Sequence, residues 1–250
     1  MTAPAATLTR PGLGRLSAVE LRKAADTRAG FWLLAVLVLL AVAVVVLQGT
    51  FAEDDIDRTF AALFSGAIQV VSIILPVLGI LLVTSEWSQR TGLSTFALVP
   101  ARERVVVAKV IGATVLTVFA VAACFVVAAA GNVFTGGDWS LGLGDLGRLA
   151  LYELIGMLGG VAFGLIFMNS ALAIVMYFVI PIGWSILGET IAALDKPADW
   201  LDLGRPLATL ADTTASMSGT DWAQLATAGG VWVVLVFALG LIRLRRTELK

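Results

Sequence analysis

Apolar residues in this chain come in long uninterrupted runs, without the two-residue alternation of a half-buried strand or the narrow stripe of a surface helix. A hydrocarbon layer of ~30 Å takes roughly 20 helical residues at ~1.5 Å each. Six runs of that order stand out, at 31–47, 60–84, 105–130, 149–168, 171–187 and 222–242. Within them only Lys109 and Glu153 are charged. The fourth and fifth runs are separated by Asn169-Ser170 alone, and one helix through both would overshoot the bilayer about twofold. The pattern therefore predicts a tight helical hairpin at that point and an all-α, polytopic membrane protein with six transmembrane helices.

Residues 1–30 precede the first span. There Leu13, Leu16, Val19 and Leu21 interleave with Arg15, Glu20, Arg22 and Lys23, which predicts an amphipathic helix lying at the membrane surface as an elbow. A disordered basic tail is the alternative. The polar stretch is too long for a secretory leader, and Thr50-Phe51-Ala52 is a poor cleavage site. The six runs form one transmembrane domain, 31–242, with a long connection at 190–221 and a polar tail at 243–250.

Charge adds orientation. Of the 17 Lys and Arg residues, thirteen lie before the first span, between spans two and three or, for Lys109, just inside the third, or in the tail. The other connections carry only Arg58, Arg148, Lys196 and Arg205, and they collect most of the acids. Because positive charge stays inside, both termini are expected in the cytoplasm.

Composition narrows the function classes. The 250 residues are 59% hydrophobic and 14% charged, against ~45–50% and ~25% in ordinary soluble domains. A net charge of −1 gives nucleic-acid binding no electrostatic footing. There is no histidine, which excludes His-based acid–base chemistry, and the single cysteine, Cys124, reads as a small apolar residue of span three. No paired-acid motif or metal-ligand spacing suggests catalysis, so no catalytic, cofactor-binding or metal site is expected.

The connection "TSEWSQRTGLSTFALVPARERVVVAK" is the most informative polar stretch. Glu86 ends span two, Arg90-Thr91-Gly92 follows, then Pro100, the pair Arg102 and Arg104, and Lys109 opening span three. With "VELRKAADTRAGFWLL", "MNSALAI" and "DWLDLGRPLATL", this order of motifs resembles the permeases of type-2 ABC exporters across roughly residues 16–241. The resemblance implies a permease working as a pair, two copies of this chain or this chain with a related one, with separate ATP-hydrolysing subunits on the cytoplasmic face of a bacterial cytoplasmic membrane. ATP and Mg would then be held by the partner ATPase. In agreement, the chain has no Gly-Lys dipeptide and hence no P-loop.

By the same resemblance, residues 85–100 correspond to a coupling helix seated in the ATPase. Glu86, Gln89 and Arg90 fall on one helical face, with Trp87 as an interfacial anchor, and Thr91 and Gly92 complete the candidate segment. A solvated, positive-inside loop is the competing reading. Pro76 and Pro181 leave the carbonyls of Ser72 and Tyr177 without their helical donors, marking candidate hinges on the two helices that flank the pathway in that family. Gly156, Gly160 and Gly164 form a small-residue stripe for close helix packing.

Glu153 is the deepest acid. It is a candidate for a cationic substrate or an outer gate, with pairing to Arg148 or another polar group as the structural alternative. Glu189 and Trp200 are further candidates for an outer gate. Phe60, Phe64, Phe178 and Trp184 read mainly as packing or lipid-facing residues. A gradient-driven secondary transporter using Glu153 or Glu189, or a membrane scaffold, is the alternative class, and the substrate is open among drug, antibiotic, peptide and lipid.

Overall fold

The computed structural model describes residues 12–52, 58–88 and 102–246, and among these it contains helices and no strand. The helices are α1 (Leu13–Asp26), α2 (Arg28–Phe51), α3 (Phe60–Ser88), α4 (Arg102–Thr135), α5 (Leu143–Phe167) and α6 (Ser170–Thr190). Two short helices follow, α7 (Asp195–Leu201) and α8 (Gly204–Ala211). The last, α9, runs Gly219–Arg246. Six of them, α2, α3, α4, α5, α6 and α9, are long and apolar enough to cross a membrane. Each is longer than the run that predicts it, because the backbone stays helical beyond the last apolar residue; α4 extends from Arg102 to Thr135 where the run covers 105–130.

Helices α3 and α5 form the centre. In each, 56% of the most apolar stretch is buried inside the chain, against 11% for α6 and 17% for α9, so the last two turn most of their surface outward. Leu63, Phe64, Ile68, Leu75, Leu149 and Met157 make the middle of the core, where Phe60 and Phe64 stack on each other and both meet Phe125 of α4 edge-on. These two phenylalanines are packing residues.

The glycine stripe on α5 explains the close α3–α5 approach. A Cβ at Gly160 would overlap the carbonyl oxygen of Pro76, whereas one at Gly156 would meet the Pro76 ring at an ordinary 3.5 Å. Gly164 lies against Ile80 and Val83. The helix α3 runs unbroken through Pro76, and α6 runs unbroken through Pro181. Pro76 is buried at this crossing, while Pro181 is half-buried and borders a cavity of about 180 Å³ with Gly159, Tyr177, Leu207 and Trp232.

The hairpin between spans four and five is present. Met168 turns the chain in the left-handed region at φ 53°, and Asn169 caps α6 by accepting from the Leu172 amide at 3.0 Å. The long connection 190–221 holds α7, α8 and the first turn of α9. In α9 a π-helical segment, Gly230–Leu235, shifts the register and brings Trp232 Nε1 to the Leu201 carbonyl at 2.6 Å.

Candidate functional site

Among the described residues of the six spans and α1, buried charged side chains occur at two places. The first joins α1 to the ends of α3 and α4. Lys109 Nζ donates to Glu20 Oε2 at 2.6 Å and to the Leu82 carbonyl at 2.8 Å, and lies 3.3 Å from Glu86 Oε1. Lys23 Nζ completes the junction, 2.8 Å from Glu20 Oε1 and 3.0 Å from Glu86 Oε1. Glu20, Glu86 and Lys109 are each at most 4% exposed. Two carboxylates and two ammonium groups cancel, which is the condition for holding charge at this depth. Burial works against the Lys23 charge, but the hydrogen bonds and charges of Glu20 and Glu86 outweigh it and raise the ammonium above its ordinary value.

This junction revises two sequence readings. Glu20 belongs to the inward face of α1 together with Ser17, beside Leu21 and Ala24, which pack against the core, while Leu13 and Val19 are exposed. Glu86 is not a surface docking residue: its carboxylate is enclosed and paired, because Lys109 and Lys23 converge on it. Trp87, half-buried beside it, packs against the core. Residues 85–88 prolong α3, so the candidate coupling segment begins as the end of span two. Gln89, Arg90, Thr91 and Gly92 lie outside the described residues.

The second feature is Glu153. It is 1% exposed, and neither carboxylate oxygen has a hydrogen-bond partner. Pairing with Arg148 does not occur. Five positions on a helix put the two side chains about 140° apart around the axis, and Arg148 is taken up elsewhere. Its guanidinium donates to the carbonyls of Thr209, Asp212 and Ala215 and lies 3.5 Å from Asp145, tying α5 to the last turn of α8 and the residues that follow it.

The other two gate candidates fall outside these features. Glu189 and Trp200 are exposed, because the cluster that fixes α7 and α8 turns other side chains inward. In it, Asp202 accepts from Ser185 Oγ at 2.8 Å and from the Gly204 amide at 2.9 Å, and Arg205 pairs with Asp199. Asp202 is 2% exposed, and nothing in the local pattern singles it out from its acidic neighbours. Beside this cluster Phe178 borders the cavity that Pro181 borders, edge-on to Tyr177.

A polar groove of about 690 Å³ lies on the same end of the bundle, lined by Gln48, Ser65, Gln69, Asp145 and Asp212 among others. Ser65 and Gln69 are one turn apart on α3, so span two presents a polar strip there. Among the described residues no group of acids and cysteine is placed to hold a metal ion. No family model matches the sequence, and no curated protein matches it.

Proposed function

We propose that this chain is the membrane-spanning permease subunit of an ATP-driven type-2 ABC exporter. It works as a pair of permeases, with separate ATPase subunits on the cytoplasmic side of a bacterial cytoplasmic membrane. The observation that carries the reading is the charge junction: Glu86 and Lys109 bracket the 89–101 connection, and both are tied to α1. An ATPase closing on that connection would move the ends of α3 and α4 together with α1, because separating them strands charge in an apolar setting.

In this reading α1 is the elbow, with Leu13 and Val19 set into the interface and its charged face locked to the bundle. The outward surface of α6 and the polar strip on α3 supply the pathway between the two permeases. The chain binds no nucleotide; ATP and Mg belong to the partner.

The test is ATP hydrolysis and substrate release by the complex carrying Arg90→Glu, a substitution in the 89–101 connection. Hydrolysis uncoupled from transport, with the complex intact, supports the reading. Unchanged coupling contradicts it.

A second reading, a gradient-driven transporter, is favoured by one observation, the enclosed and unpartnered Glu153. It predicts transport that follows an imposed proton gradient with no ATPase present.

A further inference from the structure

Glu153 combines three observations that the permease reading does not use. It sits in the middle of a central transmembrane helix, its own chain encloses it, and both of its oxygens are without a donor. Enclosure by its own chain matters, because neither lipid nor a second copy can then supply the missing partner. A bare carboxylate in such a place costs several kcal/mol or more, which proteins avoid by pairing it or by keeping its proton.

Among the described residues no cation pairs with Glu153. The titratable groups close enough to feel a charge on Glu153 are Cys124 on α4, Tyr152 on α5 and Tyr177 on α6, none of them a cation. Tyr152 donates to Ser72 Oγ at 3.1 Å, and the Tyr177 hydroxyl is directed to the Gly156 carbonyl at 3.4 Å, so neither hydroxyl is turned to the carboxyl. The lysines of the charge junction are engaged with Glu20 and Glu86, and Arg148 with the segment after α8. No set of ligands for a metal ion surrounds it among the described residues.

We infer that Glu153 is a proton-binding site, an un-ionised carboxylic acid held between the central helices. Its neighbours Ala150, Leu151 and Leu154 line an apolar groove of about 690 Å³ between α4 and α5, floored by Val121 and Phe125. Glu153 itself does not line the groove, but an apolar reagent partitions into it beside these neighbours, where a charged one is disfavoured by the apolar lining. The inference does not depend on the permease reading, since the enclosure is the same with either energy source.

Dicyclohexylcarbodiimide tests it, because this apolar reagent modifies carboxyl groups that carry a proton. The acid adds across one C=N bond: its oxygen bonds to the central carbon and its proton passes to nitrogen. The acyl group then shifts to nitrogen, leaving an N-acylurea that retains the whole reagent. Peptide mass spectrometry of the detergent-solubilised protein is expected to place the adduct on Glu153 at neutral pH. A water-soluble carbodiimide with an added amine is expected to mark exposed Glu189 and spare Glu153.

Infrared difference spectra between the wild type and Glu153→Gln give the second readout. Loss of the carbonyl band of an un-ionised acid is expected. Loss of carboxylate bands, with the acid region unchanged, overturns the inference. Should the variant fail to fold, the label map of the unsubstituted protein decides, and adducts on exposed acids with none on Glu153 overturn it.

Discussion

Lys109 on α4 and Glu20 on α1 are 89 positions apart in sequence and 2.6 Å apart in space, both buried. The pair holds the helix before the first span against the one that opens span three. Its strength follows from its enclosure, since an exposed ion pair contributes ~0–1 kcal/mol and a buried one resists the loss of either member far more.

Replacing Lys109 with Met strands Glu20 and Glu86 beside Lys23 alone. The expected loss is about 3–5 kcal/mol, read as a lower melting temperature in detergent. Adding Glu20→Leu to Lys109→Met is expected to recover part of it, and a strictly additive double variant would show that the two residues do not interact.

The pH dependence of this junction has a definite sign. Lys23 has a folded-state pKa raised above its ordinary 10.5. Its contribution is therefore fully present below the unfolded value and is lost as pH rises through the folded one. Melting temperature compared between the wild type and Lys23→Met is expected to differ by a constant amount across neutral pH. The difference is expected to narrow only above the ordinary lysine range, and narrowing near pH 7 would contradict the assignment.

Two glycines four residues apart are expected to respond differently. Gly160→Ala drives a methyl group into the Pro76 carbonyl, a backbone atom that cannot swing away, for a cost of about 1–3 kcal/mol. Gly156→Ala meets the Pro76 ring at 3.5 Å, an ordinary contact. Thermal melts of the two variants check this, and equal melting temperatures would mean that α3 and α5 do not cross at Pro76 and Gly160.

Arg148 fastens the segment 209–215 through three carbonyls. Arg148→Met removes hydrogen bonds to a charged donor, each contributing about 1.5–3 kcal/mol. Limited proteolysis is expected to cut near Asp212 in the variant at protease levels that leave the wild type whole.

The six spans were legible because a bilayer fixes the length of an apolar helix, and the hairpin at Asn169 because no single helix could hold two such lengths. Gly160 was legible as packing, since a four-residue repeat keeps one face small. What the pattern could not reveal was which polar residues face inward. Glu20 sits among charged neighbours on an amphipathic helix, and its inward turn depends on Lys109, which local periodicity cannot see. Glu86 looked like a docking residue for the same reason, its lysines being 63 and 23 positions away. Arg148 looked like the partner of Glu153 by proximity in sequence, until helical geometry placed it on another face.

The permease reading is tested most directly by gentle purification of the tagged chain from its native membranes, followed by identification of what accompanies it. The account predicts a stoichiometric ATPase subunit carrying a P-loop and vanadate-sensitive ATP hydrolysis in the purified complex. Repeated recovery of the chain alone, without such hydrolysis and with transport that follows an ion gradient, would contradict it.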